Sequence, residues 1–206
     1  HSPPEVGDDG RTSGSTVLDS NSTQFSFPQF LGPTRDCKTP GPKLAIDWES
    51  SPPKEMWRQD IGAAWSGFVV SAHRAITQEQ RDENEVVSCY HLLTGKMLWM
   101  HSDSGHYNTK IAGEGPRATP TIQDGKVYTL GATGTLNCLE LESGNRVWHR
   151  NIAADAELNT DGEIDQTGAP KKRYKAKERG YRSSPLIVGD FLVVSAGGEN
   201  GKSLLG

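Results

Sequence analysis

The acidic stretch Glu157-Leu-Asn159-Thr-Asp161-Gly162-Glu163-Ile164-Asp165 has a spacing that could do chemistry. Oxygen-bearing side chains at Glu157, Asn159, Asp161, Glu163 and Asp165, with glycine at the sixth position, follow the start of a helix-loop-helix calcium loop, in which glycine makes the bend that folds the ligands round the ion. The pattern fails at its end, because Gly168 stands where a bidentate glutamate should close the site, and Glu157 replaces the usual aspartate. No flanking helices are evident, so a solvated loop outweighs a Ca²⁺ site. His101, Asp103 and His106 could offer two imidazoles and a carboxylate to a metal, but spacing this loose is common by chance. The expectation for them is a polar loop between repeats. Gly113-Glu114-Gly115-Pro116-Arg117 lacks the flanking strand and helix of a phosphate-binding loop, and reads as a tight entry to the following strands. Cys37, Cys89 and Cys138 make neither a disulfide framework nor a Cys-x-x-Cys site.

The elements that must position these groups are short strands. No stretch keeps apolar residues at helical spacing for three turns, whereas β-type runs recur between turn dipeptides. Ala118 to Gln123 leads into Asp124-Gly125, a pair suited to the positive φ of a tight hairpin. Lys126 to Leu130, the turn Gly131-Ala132-Thr133-Gly134, Thr135 to Leu141, the turn Ser143-Gly144 and Asn145 to Trp148 complete a four-stranded meander. The meander recurs. A shift of 49 residues lays Cys89, Thr94-Gly95 and Trp99 on Cys138, Ser143-Gly144 and Trp148. A shift of 65 lays Ala118-Thr-Pro120-Thr-Ile122 on Ser183-Ser-Pro185-Leu-Ile187. Trp57, Trp99 and Trp148 are 42 and 49 residues apart, a period that belongs to propeller blades. One four-stranded sheet cannot cover both its faces, so it stacks on copies of itself.

The sequence is therefore read as all-β, a β-propeller of four-stranded antiparallel blades. A leader over residues 1–24, rich in Ser, Gly, Pro and Asp, is expected to be disordered, since it has too little apolar surface to offset the entropy of ordering. Asn21-Ser22-Thr23 within it fits a glycosylation acceptor, a pattern frequent by chance. Blades are expected at about 56–99, 118–148 and 183–206, with a charged insertion over 154–182, acidic in its first half and basic in its second. Three blades do not close a ring, since propellers have four to eight, so residues 25–206 are expected to be the N-terminal portion of one. The 26 acidic against 22 basic residues, a formal net charge of -4 and a pI of about 5.9 give no basic footprint for nucleic acid. Mean hydropathy of -0.62 and the lack of a long apolar run leave no transmembrane segment in the sequence.

Cys89-x-His91-x-x-Thr94-Gly95-Lys96-x-x-Trp99 and its copy ending at Trp148 resemble the tryptophan-docking repeat of the quinoprotein, or PQQ-like, β-propeller superfamily, usually Ala-x-Asp-x-x-Thr-Gly-x-x-x-Trp. Phe27-Pro-Gln-Phe-Leu-Gly-Pro-Thr-Arg-Asp36 and Gly115-Pro-Arg-Ala-Thr-Pro120 are similar to segments of large bacterial extracytoplasmic members. The resemblance covers about residues 25 to 206. It implies that Trp57, Trp99 and Trp148 are docking residues, each stacked between a glycine turn, such as those at Gly95 and Gly144, and a neighbouring blade. Trp65 falls outside the motif position; a place facing the central channel or on a loop surface is open to it, but a core position is favoured. In place of the usual Ala and Asp stand Cys89 and His91 in one repeat and Cys138 and Glu140 in the other, and both cysteines are expected to be small buried hydrophobes.

For function, the resemblance implies PQQ and Ca²⁺ as possible cofactors, held in the propeller centre of the dehydrogenases with an aspartate base and a pair of adjacent cysteines. This sequence has no adjacent cysteines, and no base or ligand can be matched to the family's pattern. The reading therefore leans away from catalysis. It favours an extracytoplasmic scaffold, periplasmic or secreted, that binds a protein or other ligand through its loops, as the superfamily's outer-membrane assembly lipoprotein does. The alternatives are a PQQ-dependent alcohol or sugar dehydrogenase with its active-site residues on further blades, and an extracytoplasmic sensor domain.

Overall fold

Hairpin after hairpin, the chain folds back on itself wherever a turn permits positive φ. In the computed structural model, which describes residues 26–39, 41, 43–111, 113–156, 180–198 and 201–206, β1 (Val69–Ser71), β2 (Arg74–Arg81), β3 (Asn84–His91) and β4 (Met97–Ser104) form one antiparallel sheet in chain order. After a small hairpin of β5 (Asn108–Thr109) and β6 (Gly113–Glu114), a second four-stranded sheet is built from β7 (Thr121–Gln123), β8 (Lys126–Leu130), β9 (Thr135–Glu140) and β10 (Arg146–Asn151). A short helix α1 (Ile152–Asp155) follows, capped by the Asn151 side chain. The third sheet contains β11 (Leu186–Val188), β12 (Phe191–Ser195) and β13 (Leu204–Leu205). The architecture is all-β, and the three sheets close no ring among the described residues.

The two four-stranded sheets repeat down to an irregularity. Cys89 pairs with Trp99 and Cys138 with Trp148, and next to each pair one extra residue, Leu98 or Val147, bulges from the outer strand. A bulge bends its strand and strengthens the local twist. Asp124 and Gly125 take φ of 49° and 71° between β7 and β8, as their sequence requires of a two-residue hairpin. Both outer strands run beyond the expected tryptophan ends, to Ser104 and Asn151. His101 and Asp103 are therefore strand residues and not loop residues, because their backbones pair with Val87 and Glu85.

Apolar side chains on facing sheets make two cores. Val69, Ile76, Val87, Cys89 and Trp99 of the first sheet close on Ile122, Val127 and Leu139 of the second. Leu130, Leu136 and Ile152 close on Tyr181, Val194 and Ala196 at the junction with the third. The first strands of the sheets are neighbours: the Gly67 amide, just before β1, donates to Thr119 Oγ1 just before β7, and Thr121 Oγ1 donates to Pro185 O just before β11. A strap over 26–38 lies along them. Phe27 pairs with Val70, the Ile122 amide donates to Pro28 O at 2.7 Å, and Arg35 Nη2 donates to Ile187 O at 2.9 Å.

The expected leader, the Asn21 sequon and the calcium-loop residues Glu157, Asn159, Asp161, Glu163 and Asp165 lie outside the described residues.

Candidate functional site

Antiparallel order sends alternate connections to opposite ends of the sheets. At one end are tight turns, at 72–73, 92–96, 124–125, 141–145 and 189–190. At the other are the turns at 82–83 and 131–134 and the longer segments after β4, β10 and β12. The first end is closed by aromatic rings on glycine, and the second by carboxylates on backbone amides.

At the turn end, Trp57 Nε1 donates to Leu92 O at 2.8 Å, and a Cβ placed on Gly95 would come within 2.6 Å of the Trp57 ring. One repeat later, Trp99 Nε1 donates to Leu141 O at 3.0 Å and its ring lies as tightly on Gly144. In each case the acceptor is three residues before the glycine, and both glycines hold positive φ, 68° and 71°. Trp148 has no glycine turn against it among the described residues; it is 38% exposed and sits 6.1 Å from the Tyr128 ring. Cys89 and Cys138 are buried, and burial pushes the Cys89 thiol up to about 12, where it is an inert apolar group. Cys37 is exposed.

At the loop end, Glu85 of the first sheet accepts hydrogen bonds from the Ala132 amide at 2.6 Å, the Thr133 amide at 3.2 Å and the Thr133 hydroxyl, all in a turn of the second sheet. Burial raises its carboxyl above the ordinary range in spite of these donors. Asp103 spans the same junction, accepting from Asn137 Nδ2 at 2.6 Å and from Arg146, with His101 Nε2 3.6 Å away. Burial pushes Asp103 up, but His101, Asn137 and Arg146 together hold it below the usual range. Glu79, with no exposed side-chain surface, accepts from Ser88, the Gly62 amide, Arg81 and Tyr90. There too burial acts upward and the donors prevail, so Glu79 is lowered. Sequence reasoning missed Glu79 and Glu85. The only signal is that Gln78-Glu79-Gln80 interrupts a strand whose every position from 74 to 80 is buried.

The structure does not gather His101, Asp103 and His106. His106 lies 3.4 Å from both Glu83 and Glu114, while His101 and Asp103 sit with Arg146 on the outer strands. Among the described residues no group of three or more His, Cys, Asp or Glu is placed to hold a metal. With no adjacent cysteines either, these residues do not compose the quinone and calcium centre implied by the resemblance, and no chemistry is derived through it. Gly113 and Gly115 take φ of 76° and 86°, and the segment enters β7 tightly as expected. Trp65 departs from its expected core position: it is 67% exposed, because its backbone pairs with Pro116 O and carries the ring outward on the loop end. Arg117 packs beside it.

Three kinds of likeness to known proteins accompany this geometry. A PQQ-repeat family model, described as outer membrane protein assembly factor BamB, matches residues 39–173 and 92–201. The outer membrane protein assembly factor BamB of Burkholderia pseudomallei (strain K96243) is 30% identical over 101 residues, covering 42% of this chain and 26% of that protein. The match thus spans about a quarter of that relative's length. The crystal structure of BamB from Moraxella catarrhalis aligns at a TM-score of 0.41 and 15% identity, over 62% of this chain and 32% of that one. Quinohemoprotein alcohol dehydrogenase from Comamonas testosteroni aligns at 0.43 and 16%, over 65% and 17%. No helix among the described residues is long and apolar enough to cross a membrane.

Proposed function

Since the chain belongs to the PQQ-like β-propeller repeat family, we propose that it is a non-catalytic scaffold outside the cytoplasm, binding another protein through the connections gathered at the loop end of its sheets. The observation that carries this reading is the match of the assembly-factor family model to both overlapping stretches of the chain. The geometry supports it in two ways. Buried cores and Glu85 and Asp103 fix the sheets against one another, so the loop end is presented on a rigid base. The strap over 26–38 ties the first strands of all three sheets together, through Val70, Ile122 and Ile187, and so stiffens the same base.

Trp57, Trp99 and Trp148 serve in this reading as docking residues: Gly95 seats Trp57, Gly144 of the next repeat seats Trp99, and Trp148 is left for a turn outside the described residues. Blades at about 56–99, 118–148 and 183–206 stack in that order. By analogy with the assembly factors, the partner belongs to a machinery that assembles other proteins.

Chemical crosslinking of the full-length protein in its own host, with mass spectrometric mapping, tests the proposal. The expected result is one recurrent partner with crosslinks at Lys110, Lys202 and their neighbours on the loop end, and none at Lys96 on the turn end. Purification with a bound quinone and alcohol-dependent dye reduction would replace the scaffold by the dehydrogenase alternative.

A further inference from the structure

Half-buried Arg117 is set apart from buried Arg74, half-buried Arg81 and exposed Arg146 by what it lacks. Arg74 pairs with Glu142, Arg81 with Glu79 and Arg146 with Asp103. Arg117 has no carboxylate within 4.0 Å among the described residues; its Nε, like those of Arg74 and Arg81, is buried with no hydrogen-bond partner there. Its guanidinium is held by two rings, at 5.8 Å from the centroid of Trp65 and 5.5 Å from that of Tyr107, and Nη2 reaches Gly113 O at 3.5 Å. The nearest acidic residue in sequence, Glu114, is turned to His106. A guanidinium kept planar and partly dry between aromatic faces is preorganised for a carboxylate, since its fork matches two oxygens and little side-chain freedom remains to be lost.

The surroundings define the rest of the site. Trp65 is fixed through its amide to Pro116 O at 2.9 Å and rests on Gly113, yet is 67% exposed, so one indole face remains available. Ile111, 86% exposed, is in the turn of the hairpin that carries Gly113. Tryptophan, tyrosine and arginine are the residues that dominate the centres of protein interfaces. An exposed tryptophan against an arginine that has no acid among the described residues, with an exposed isoleucine two residues before the glycine under the indole, offers charge and apolar surface on one stretch of the loop end, which suits a polypeptide better than a sugar.

We infer that Arg117, Trp65 and Ile111 anchor a protein-binding surface at the loop end that takes an acidic side chain set beside an apolar one on a partner polypeptide. This inference rests on the scaffold reading and names its recognition chemistry. The carboxylate pairs with Arg117, and the apolar side chain lies on Trp65 and Ile111.

The test is fluorescence anisotropy of the full-length protein with a fluorescein-labelled peptide of alternating Asp and Leu, against its Asn and Leu counterpart. The acidic peptide should bind about tenfold or more tightly than the amide one. Arg117→Gln and Trp65→Ala should each weaken it by about tenfold, and Ile111→Ser by a few fold. Trp65 and Ile111 are exposed, so their variants keep the test decisive even where Arg117→Gln perturbs folding, which far-ultraviolet circular dichroism reports. Failure of the acidic peptide to bind, equal binding of both peptides, or unchanged binding in folded Arg117→Gln overturns the inference. So does binding of a polygalacturonate oligomer, sensitive to Arg117, in place of the peptide. The scaffold reading fails separately: a partner that still crosslinks in the host to the Arg117→Gln protein sinks this anchor alone, whereas absence of any partner sinks both.

Discussion

Trp99 and Trp148 occupy the same position of the same repeat, each paired with a cysteine and followed by the same kind of outer strand, yet one is 8% exposed and the other 38%. The motif does not bury its tryptophan. The next glycine turn does, through Gly144 for Trp99, and none lies against Trp148 among the described residues. Stability in a stacked array is then a property of junctions, and each repeat finishes the core of the one before it.

The largest expected effect sharpens this contrast. Trp99→Ala should cost about 3 to 5 kcal/mol, as large truncations in a core do, while Trp148→Ala in this chain should cost about 1 kcal/mol or less. Urea denaturation of both variants checks the difference, and equal losses would break the comparison. The glycines offer the next test. Gly144 and Gly125 share a φ of 71°, but only Gly144 has a ring on it, whereas nothing lies within 4 Å of a Cβ on Gly125. Gly125→Ala should therefore cost about 1 kcal/mol of backbone strain, and Gly144→Ala about 2 to 4, since overpacking is added. Equal midpoints would show that the ring contact adds nothing.

The loop end differs from the turn end in responding to pH. Glu85 is raised by burial, so the folded protein keeps that proton where the unfolded chain has lost it. Its contribution is fully present below the ordinary carboxylate pKa, about 4, and is lost as pH rises through the folded value. Asp103 and Glu79 are lowered, so theirs is present above the ordinary value and lost as pH falls through the folded one. Denaturation midpoints across a pH series should show Glu85→Gln losing the decline that sets in as pH rises above the ordinary carboxylate value and keeping the acid-side loss, and Asp103→Asn weakening the latter. An unchanged profile in both would remove these carboxylates from the junction's energetics. The smallest effect is chemical: in native protein a thiol reagent should modify Cys37 promptly and leave Cys89 and Cys138 until unfolding. Early labelling of Cys89 would mean that the first junction opens readily.

Much of the fold was legible because it is written locally. The 49-residue offset that overlays Cys89 and Trp99 on Cys138 and Trp148 reappears as identical pairing and an identical bulge. Asp124-Gly125 announced its hairpin. What escaped depends on distant partners. Glu85 finds its donors 47 and 48 residues away, and no local pattern marks a carboxylate for burial there. The sequence favours core over loop surface for Trp65, but exposure depends on which segments cover a ring, and its backbone bond to Pro116 holds it at the exposed loop end. The ends of β4 and β10 were placed too early because polar residues on an outer strand do not look like strand. The sequence places Arg117 at the entry to the second repeat, free to point toward a ring centre, whereas its setting between Trp65 and Tyr107 depends on segments that only the assembled loop end brings together.

The strap over 26–38 sets an order of events in time. It leaves the ribosome before any of the three sheets, yet Arg35 hydrogen-bonds to Ile187, 152 residues further along. At about 5–20 residues per second, that partner arrives on the order of ten seconds later. Phe27 can pair with Val70, and Pro28 with Ile122, as the first two sheets form, but the Arg35 bond waits for Ile187, so the docking of the strap is complete only when the third repeat stands in good order.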